Sequence, residues 1–463
     1  MDAAIPLARN IVNTKYEDMT PEVLDIAKKG VLDNLGNALG GSTVPGCKEV
    51  VELIKDWGGK EESTIFAYGG KIPAIHAAQV NSMMSEALTY SDTHDVTGQH
   101  PSIVVLPVCW AIAEQKGTTS GKEFLTAAIL GVDLSCRMAL APKYTTDIYG
   151  DGWFNSVVFG YFAAAATAGK LLGFDEEIML NAFGIAHPQA SGAQQLSDEL
   201  SILSTSCPSF AARGGICAAK MAEKGIKASH NSLEGNWGIY GIFYRGNYDR
   251  DALTADLGKR FEGINVSLKP YPCCRWTHQF IEATLALREE HAIKPEDVAE
   301  IITFVGENTR ALVCEPLELK RNPDSNVAAQ VNVPWTVATA ILYGKVGLKD
   351  FTPEAIRNEV VLRMAQKVIP KLYESLNRFG QEPGIVEIRT SDGQVFSKRV
   401  EADSLYGSPK NPMSWDTVIN KFKECASYAV KPVPSENLEK VIEMVQRLEE
   451  VDNVSSIVQL ISP

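Results

Sequence analysis

No stretch of this chain is apolar for long enough to cross a bilayer. The longest run of small apolar residues, Val157 to Leu172, is broken by glycines, Thr167 and Lys170, short of the roughly 20 residues a spanning helix needs. No secretory leader is expected either, because Met1-Asp2-Ala3-Ala4-Ile5-Pro6 has neither a basic start nor a long apolar core. Basic residues are in deficit: 44 Lys and Arg face 57 Asp and Glu, for a formal charge of −13. With no basic stripe to release counterions from phosphate, nucleic acid is not an expected partner. The nine cysteines form no paired framework, and adjacent Cys273 and Cys274 are too close for an ordinary disulfide within the pair, so a reducing cytoplasm is the expected location. Neither a CxxC nor a histidine pair at helical i,i+4 spacing occurs, which leaves Asp92, His94, Asp95 and His100 a poor metal site.

The chain has 463 residues and 45% hydrophobic content, enough for two or three domains with their own cores. Its first half reads as helix. Thr20-Pro21-Glu22 supplies a cap, a first-turn proline and an acid, and Val23, Ile26, Ala27, Val31, Leu35 and Leu39 then recur at helical spacing up to Gly40-Gly41. Phe162 to Gly173 predicts a second helix, whose small side chains suit close packing on several sides. After about residue 265 the character changes. Ala299 to Val305 reads as a strand, and Ile385 to Val400 alternates around Asp392-Gly393 as a hairpin. Helical stretches, Val327 to Tyr343 and Pro353 to Ala365, fall between them, so this part is an α+β module. The last sixty residues return to helix, Val418 to Tyr428 and Ser435 to Leu448.

Two segments concentrate chemistry. Leu268 to His278 holds Lys269, Arg275, two prolines, two thiols and a histidine. Pro270 and Pro272 fix their own φ and bias the residues before them toward extended conformations, so Lys269 and Tyr271 project from a stiff peptide able to aim a cation at an anion. The plainer alternative is a proline-rich connection with a snorkelling lysine. Ser91 to Ser102 carries Asp92, His94, Asp95 and His100 ahead of the apolar run Ile103 to Pro107, a polar loop at the mouth of a buried element.

With these segments in view, the chain resembles the MmgE/PrpD family, which includes 2-methylcitrate dehydratase, cis-aconitate decarboxylase and iminodisuccinate epimerase. The resemblance spans nearly the whole length. It is carried by Leu88 to Pro107, Gly152 to Gly160, Phe210 to Gly215 with Ala222 to Gly225, Lys269 to Pro272, and Asn411 to Ser414 ahead of Lys421-Phe422. It implies an α+β fold: a large all-helical domain from residues 1–265, completed by 405–463, and a smaller α+β lid from 266–404, assembled as a homodimer. There are departures. Thr89 stands where the family commonly has an aspartate, Phe154 where it tends to have a histidine, and Ser204 and Cys207 where a lysine and a histidine are found.

Family chemistry removes a proton from the carbon next to a carboxylate, which requires a base and a means of stabilising enediolate-like charge. His100 is the expected base or acid, with Asp92 or Asp95 orienting its other nitrogen, and Lys269 the stabilising cation. Thr93, Arg275, Tyr271, Phe154 and Thr89 are the expected substrate contacts, and Arg213 is a further candidate cation or a backbone anchor. His94 reads as exposed-loop material, and Cys273 or Cys274 as a nucleophile is a weaker reading. No cofactor and no metal are expected, and the partner is a small anionic di- or tricarboxylate. Three outcomes stay open: a hydro-lyase of 2-methylcitrate dehydratase type with a non-standard substrate, an epimerase or isomerase, and a catalytically degenerate binding paralogue.

Overall fold

The computed structural model describes residues 1–143, 152–196 and 200–462. Buried apolar side chains gather into two large clusters, one drawing on Ala3 to Leu268 together with Met413 to Ile461, the other on Cys273 to Ile388. The fold mixes α and β.

Helix Pro21–Gly41 begins as its sequence predicts, with Thr20 Oγ1 accepting the Val23 N–H at 3.3 Å and proline in the first turn. Its C-terminal half is buried all round because helices Trp415–Ala426 and Ala74–Glu86 both lie against it. Glycine permits this approach: a Cβ at Gly40 would stand 2.8 Å from Leu88 Cδ1 and 3.1 Å from Cys425 O, and one at Gly41 2.0 Å from Met84 O. The C-terminal helix is itself capped by Ser414 Oγ, which accepts the Thr417 N–H at 3.2 Å. Helix Gly160–Leu171, the small-residue helix, packs against Pro208–Glu223, Gly121–Leu140 and Ser102–Lys116, and nearly all of it is buried.

The helical part also contains a two-stranded ribbon, β1 (Ser63–Thr64) and β2 (Lys71–Ile72), so it is not wholly α. In the second cluster β3 (Val298–Val305), β4 (Val368–Leu372), β5 (Gly384–Thr390) and β6 (Val395–Val400) form one sheet in the order β4-β3-β5-β6. β3 and β4 are parallel and the other pairs antiparallel. Sequence periodicity missed β4, whose Pro370 is tolerated because the strand lies at the sheet edge. The expected helix Val327 to Tyr343 is instead two, Asn326–Gln330 and Val333–Tyr343. Asn332 interrupts it, its side chain accepting the Trp335 N–H at 2.8 Å to start the second helix. Pro353 to Ala365 likewise opens as a short 3-10 turn, and its α-helix runs only from Glu359 to Gln366.

One buried cation ties the chain ends together. Lys421 Nζ lies 2.6 Å from Asp33 Oδ1, with both side chains almost fully buried. It also donates to the carbonyls of Tyr90 (2.7 Å) and Lys269 (3.0 Å) and sits 3.7 Å from the Tyr90 ring centroid. Removing one partner of a buried pair strands the other's charge. Lys421→Met should therefore destabilise the fold by about 3–5 kcal/mol in urea unfolding, whereas the exposed pair Arg363–Glu359 should cost under about 1 kcal/mol when broken.

Candidate active site

The two polar segments singled out in the sequence meet in an antiparallel bridge. The Thr93 N–H donates to the Ser267 carbonyl at 2.9 Å and the Ser267 N–H to that of Thr93 at 2.7 Å. Just beyond, the Leu268 N–H reaches the Gly407 carbonyl at 3.0 Å, and residue 407 must be glycine because a Cβ would lie 1.9 Å from Leu268 O. Lys269 is buried and donates from Nζ to the Thr89 carbonyl at 3.1 Å. Thr89, though β-branched, sits at φ 52°, a left-handed conformation that costs on the order of 1–3 kcal/mol. Its N–H closes onto Glu86 O at 2.8 Å, so strain is held where helix Ala74–Glu86 ends and the site begins.

Asp95 joins three pieces of chain. It accepts from Arg275 Nε and Nη2, both at 3.1 Å, and from Ser267 Oγ at 2.6 Å, while its carbonyl accepts the Gln381 N–H at 3.2 Å. Gln381 Nε2 in turn donates to Arg275 O at 2.8 Å. Asp95, Arg275 and Gln381 border one cleft, together with residues of both polar segments. Its polar lining includes Glu86, Thr89, Thr93, Asp95, His100, Ser204, Lys269 and Arg275. Phe154, Leu200, Trp276, Leu312 and Val331 supply apolar walls.

His100 Nδ1 lies 2.6 Å from the Asp92 carbonyl, so the neutral ring carries its proton on Nδ1 and leaves Nε2 as an acceptor. Burial, and after it the Lys269 charge, pushes His100 down to about 3. The ring lies edge-on to Phe154, with centroids 6.5 Å apart. Arrival of an anion at Lys269 would remove part of that repulsion and make the imidazole more basic.

Glu86, which sequence reasoning passed over, lines the same cleft at 2% exposure, and its Oε2 has no hydrogen-bond partner among the described residues. Burial outweighs the favourable charges of Lys269 and Lys421 and the Ser91 hydroxyl, and pushes its carboxyl up to about 7. A carboxylic acid titrating near neutrality can donate or accept a proton at working pH. The available signal was its place one helical turn before Thr89, the position of the missing family aspartate.

Of the expected site residues, His100, Lys269, Thr93, Arg275, Phe154 and Thr89 line the cleft. Two others do not. The Asp92 carboxylate accepts from Ser102 Oγ at 2.5 Å and from the Ser102 N–H, capping helix Ser102–Lys116, and it is the Asp92 backbone carbonyl that orients His100. Tyr271 packs edge-on against His278, with centroids 5.1 Å apart, outside the cleft lining. Asp95 orients Arg275 rather than His100. Arg213 lies elsewhere, donating to Gln79 at 3.4 Å. His94 is buried rather than exposed, with Nδ1 3.2 Å from Thr97 Oγ1. Burial raises the Cys273 thiol to about 12 and also raises that of Cys274, so neither supplies a thiolate near neutral pH. Among the described residues, no group of three or more His, Cys, Asp or Glu could hold a metal ion, and no helix is long and apolar enough to cross a membrane.

Comparison with known proteins matches residues 6–251 to the MmgE/PrpD N-terminal domain and residues 271–448 to the MmgE/PrpD C-terminal domain. The chain is 26% identical to a cis-aconitate decarboxylase-like protein of Aspergillus oryzae, over 98% of this chain and 95% of that protein. It is 27% identical to the cis-aconitate decarboxylase of Aspergillus terreus, covering 95% and 92% of the two chains. It is 27% identical to that of Homo sapiens, covering 98% and 93%.

The folded state binds the Glu86 proton more tightly than the unfolded chain, whose glutamate has a model value of 4.5. Stability is therefore lost as pH rises from about 4.5 through about 7. Between about pH 5.5 and about pH 8, Glu86 alone should remove about 2 kcal/mol, and Glu86→Gln should flatten the urea-unfolding profile by that amount.

Proposed function

Because the chain belongs to the MmgE/PrpD family, we propose that it is a lyase acting at the carbon next to the carboxylate of a small organic acid, by hydro-lyase chemistry that needs no cofactor. The observation that carries this reading is the convergence of a neutral imidazole, a buried ammonium and a carboxyl of raised pKa on one cleft. The relatives' printed activity, cis-aconitate decarboxylase, supports a lyase acting on a carboxylate.

In this reading the substrate carboxylate meets Lys269, and His100 Nε2 takes the α-proton. Negative charge then accumulates on the carboxylate, where a fixed ammonium stabilises it without reorganisation. The β-hydroxyl departs as water with the proton of Glu86, a carbon–carbon double bond forms, and return of the proton from His100 to Glu86 resets the site. A cation at the carboxylate favours this course over loss of carbon dioxide, because decarboxylation carries charge away from the carboxylate. Residues 266–404 act as the lid over residues 1–265 and 405–463, and the working assembly is a cytoplasmic homodimer; light scattering on purified protein tests the dimer.

A second reading, an epimerase, is favoured by one observation: His100 and Glu86 provide two proton-carrying groups at a single cleft. Proton NMR in deuterated water with a panel of small carboxylates separates the two. A new alkene signal marks elimination, exchange of the α-proton without alkene marks epimerisation, and silence throughout would favour a binding paralogue. Lys269→Met should abolish turnover in a folded protein, and His100→Ala should slow proton transfer by about 10²- to 10⁴-fold. Wild-type rates in either variant would remove that residue from the site.

A further inference from the structure

The charges lining the cleft say more about the ligand than that it is a carboxylate. Among the described residues, the cations in the lining are Lys269 and Arg275. Arg275 is already matched. Asp95 holds it through two hydrogen bonds, and Nη1 is occupied by the Tyr406 carbonyl at 3.1 Å. Residues 144–151 and 197–199, outside the described structure, contain no Lys, Arg or His. Lys269 is left as the unmatched cation, with two ammonium protons remaining after its bond to Thr89 O. Glu86 shares the cleft with it, so the lining carries one net positive charge when Glu86 is protonated and none when it is ionised. The side chains where the family pattern would add a histidine and a lysine are Phe154 and Ser204, and both line the cleft.

A buried anion needs a partner for each charge, because desolvation of an unpaired charge is too costly to be tolerated. We propose that this cleft takes a ligand of net charge −1, with its one carboxylate on Lys269 and an apolar substituent along the walls formed by Phe154, Leu312 and Val331. This rests on the preceding reading that the site binds a carboxylate and narrows it. A di- or tricarboxylate would leave one or two charges without a cation. For elimination, the substrate class becomes a 3-hydroxy monocarboxylate with an alkyl arm: the α C–H and β C–O bonds break, the double bond forms between those carbons, and water leaves.

Isothermal titration calorimetry of the full chain near pH 6, where Glu86 keeps its proton, tests this with hexanoate, aspartate, succinate and cis-aconitate. Hexanoate should bind at least tenfold more tightly than each of the others. Ser204→Lys, or Phe154→His should that variant fail to fold, should tighten cis-aconitate at least tenfold. Equal or tighter binding of succinate or cis-aconitate to the wild type overturns the net-charge inference and leaves the carboxylate reading standing. Aspartate binding as tightly as hexanoate overturns the apolar arm. Failure of all four to bind overturns the inference together with the carboxylate reading beneath it.

Discussion

The Lys421 ammonium is the constraint on which the rest of the site depends. It belongs to a C-terminal helix, yet it lies against Asp33 of an N-terminal helix and donates to the carbonyls of Tyr90 and Lys269. Those carbonyls flank the places where the two polar segments enter the cleft. A lysine with three protons and nearly full burial has few arrangements that satisfy it, and here one proton goes to a carboxylate and the others to main-chain oxygens. The geometry that aims Lys269 and Thr89 is therefore set in part by a residue that does not line the cleft.

Charge inside the cleft follows from the same economy of partners. The Asp95–Arg275 pair neutralises itself and holds Gln381 near the polar loop, so it shapes the walls without adding net charge. Glu86 and His100 respond to burial in opposite directions: the carboxyl holds its proton to about 7 and the imidazole stays neutral down to about 3. Both are uncharged below neutrality, as expected where water is scarce and each ionised form lacks a dedicated partner.

Much of this was legible in the sequence because stiffness and pattern are local. The Lys269-Pro270-Tyr271-Pro272 segment and the polar loop before Ile103 announce themselves by composition, and the Asp392-Gly393 hairpin by alternation. Partners set by packing were not legible. Glu86 looks like a helix glutamate until tertiary neighbours bury the turn around it, and the contact of the Asp92 carboxylate with Ser102 at the start of a helix has no local sequence signal. Asn332 has the side chain of a cap but sits inside an apolar periodic run, so only the broken helix exposes its role. β4 is short, edge-bound and proline-bearing, and its signal is weaker than the rule it breaks.

The position of Lys421 in the chain also sets a clock. Synthesis runs from the N-terminus at roughly 5–20 residues per second, and domains fold as they emerge. The Ser91 to Ser102 loop and the Lys269 segment can leave the ribosome and begin to pack long before residue 421 exists to satisfy the Tyr90 and Lys269 carbonyls. Until then Asp33 lacks its cation and the glycine-lined groove on helix Pro21–Gly41 lacks its occupant. The nascent protein thus spends most of its synthesis with this seam open, and the Tyr90 and Lys269 carbonyls gain their shared ammonium only once helix Trp415–Ala426 has formed.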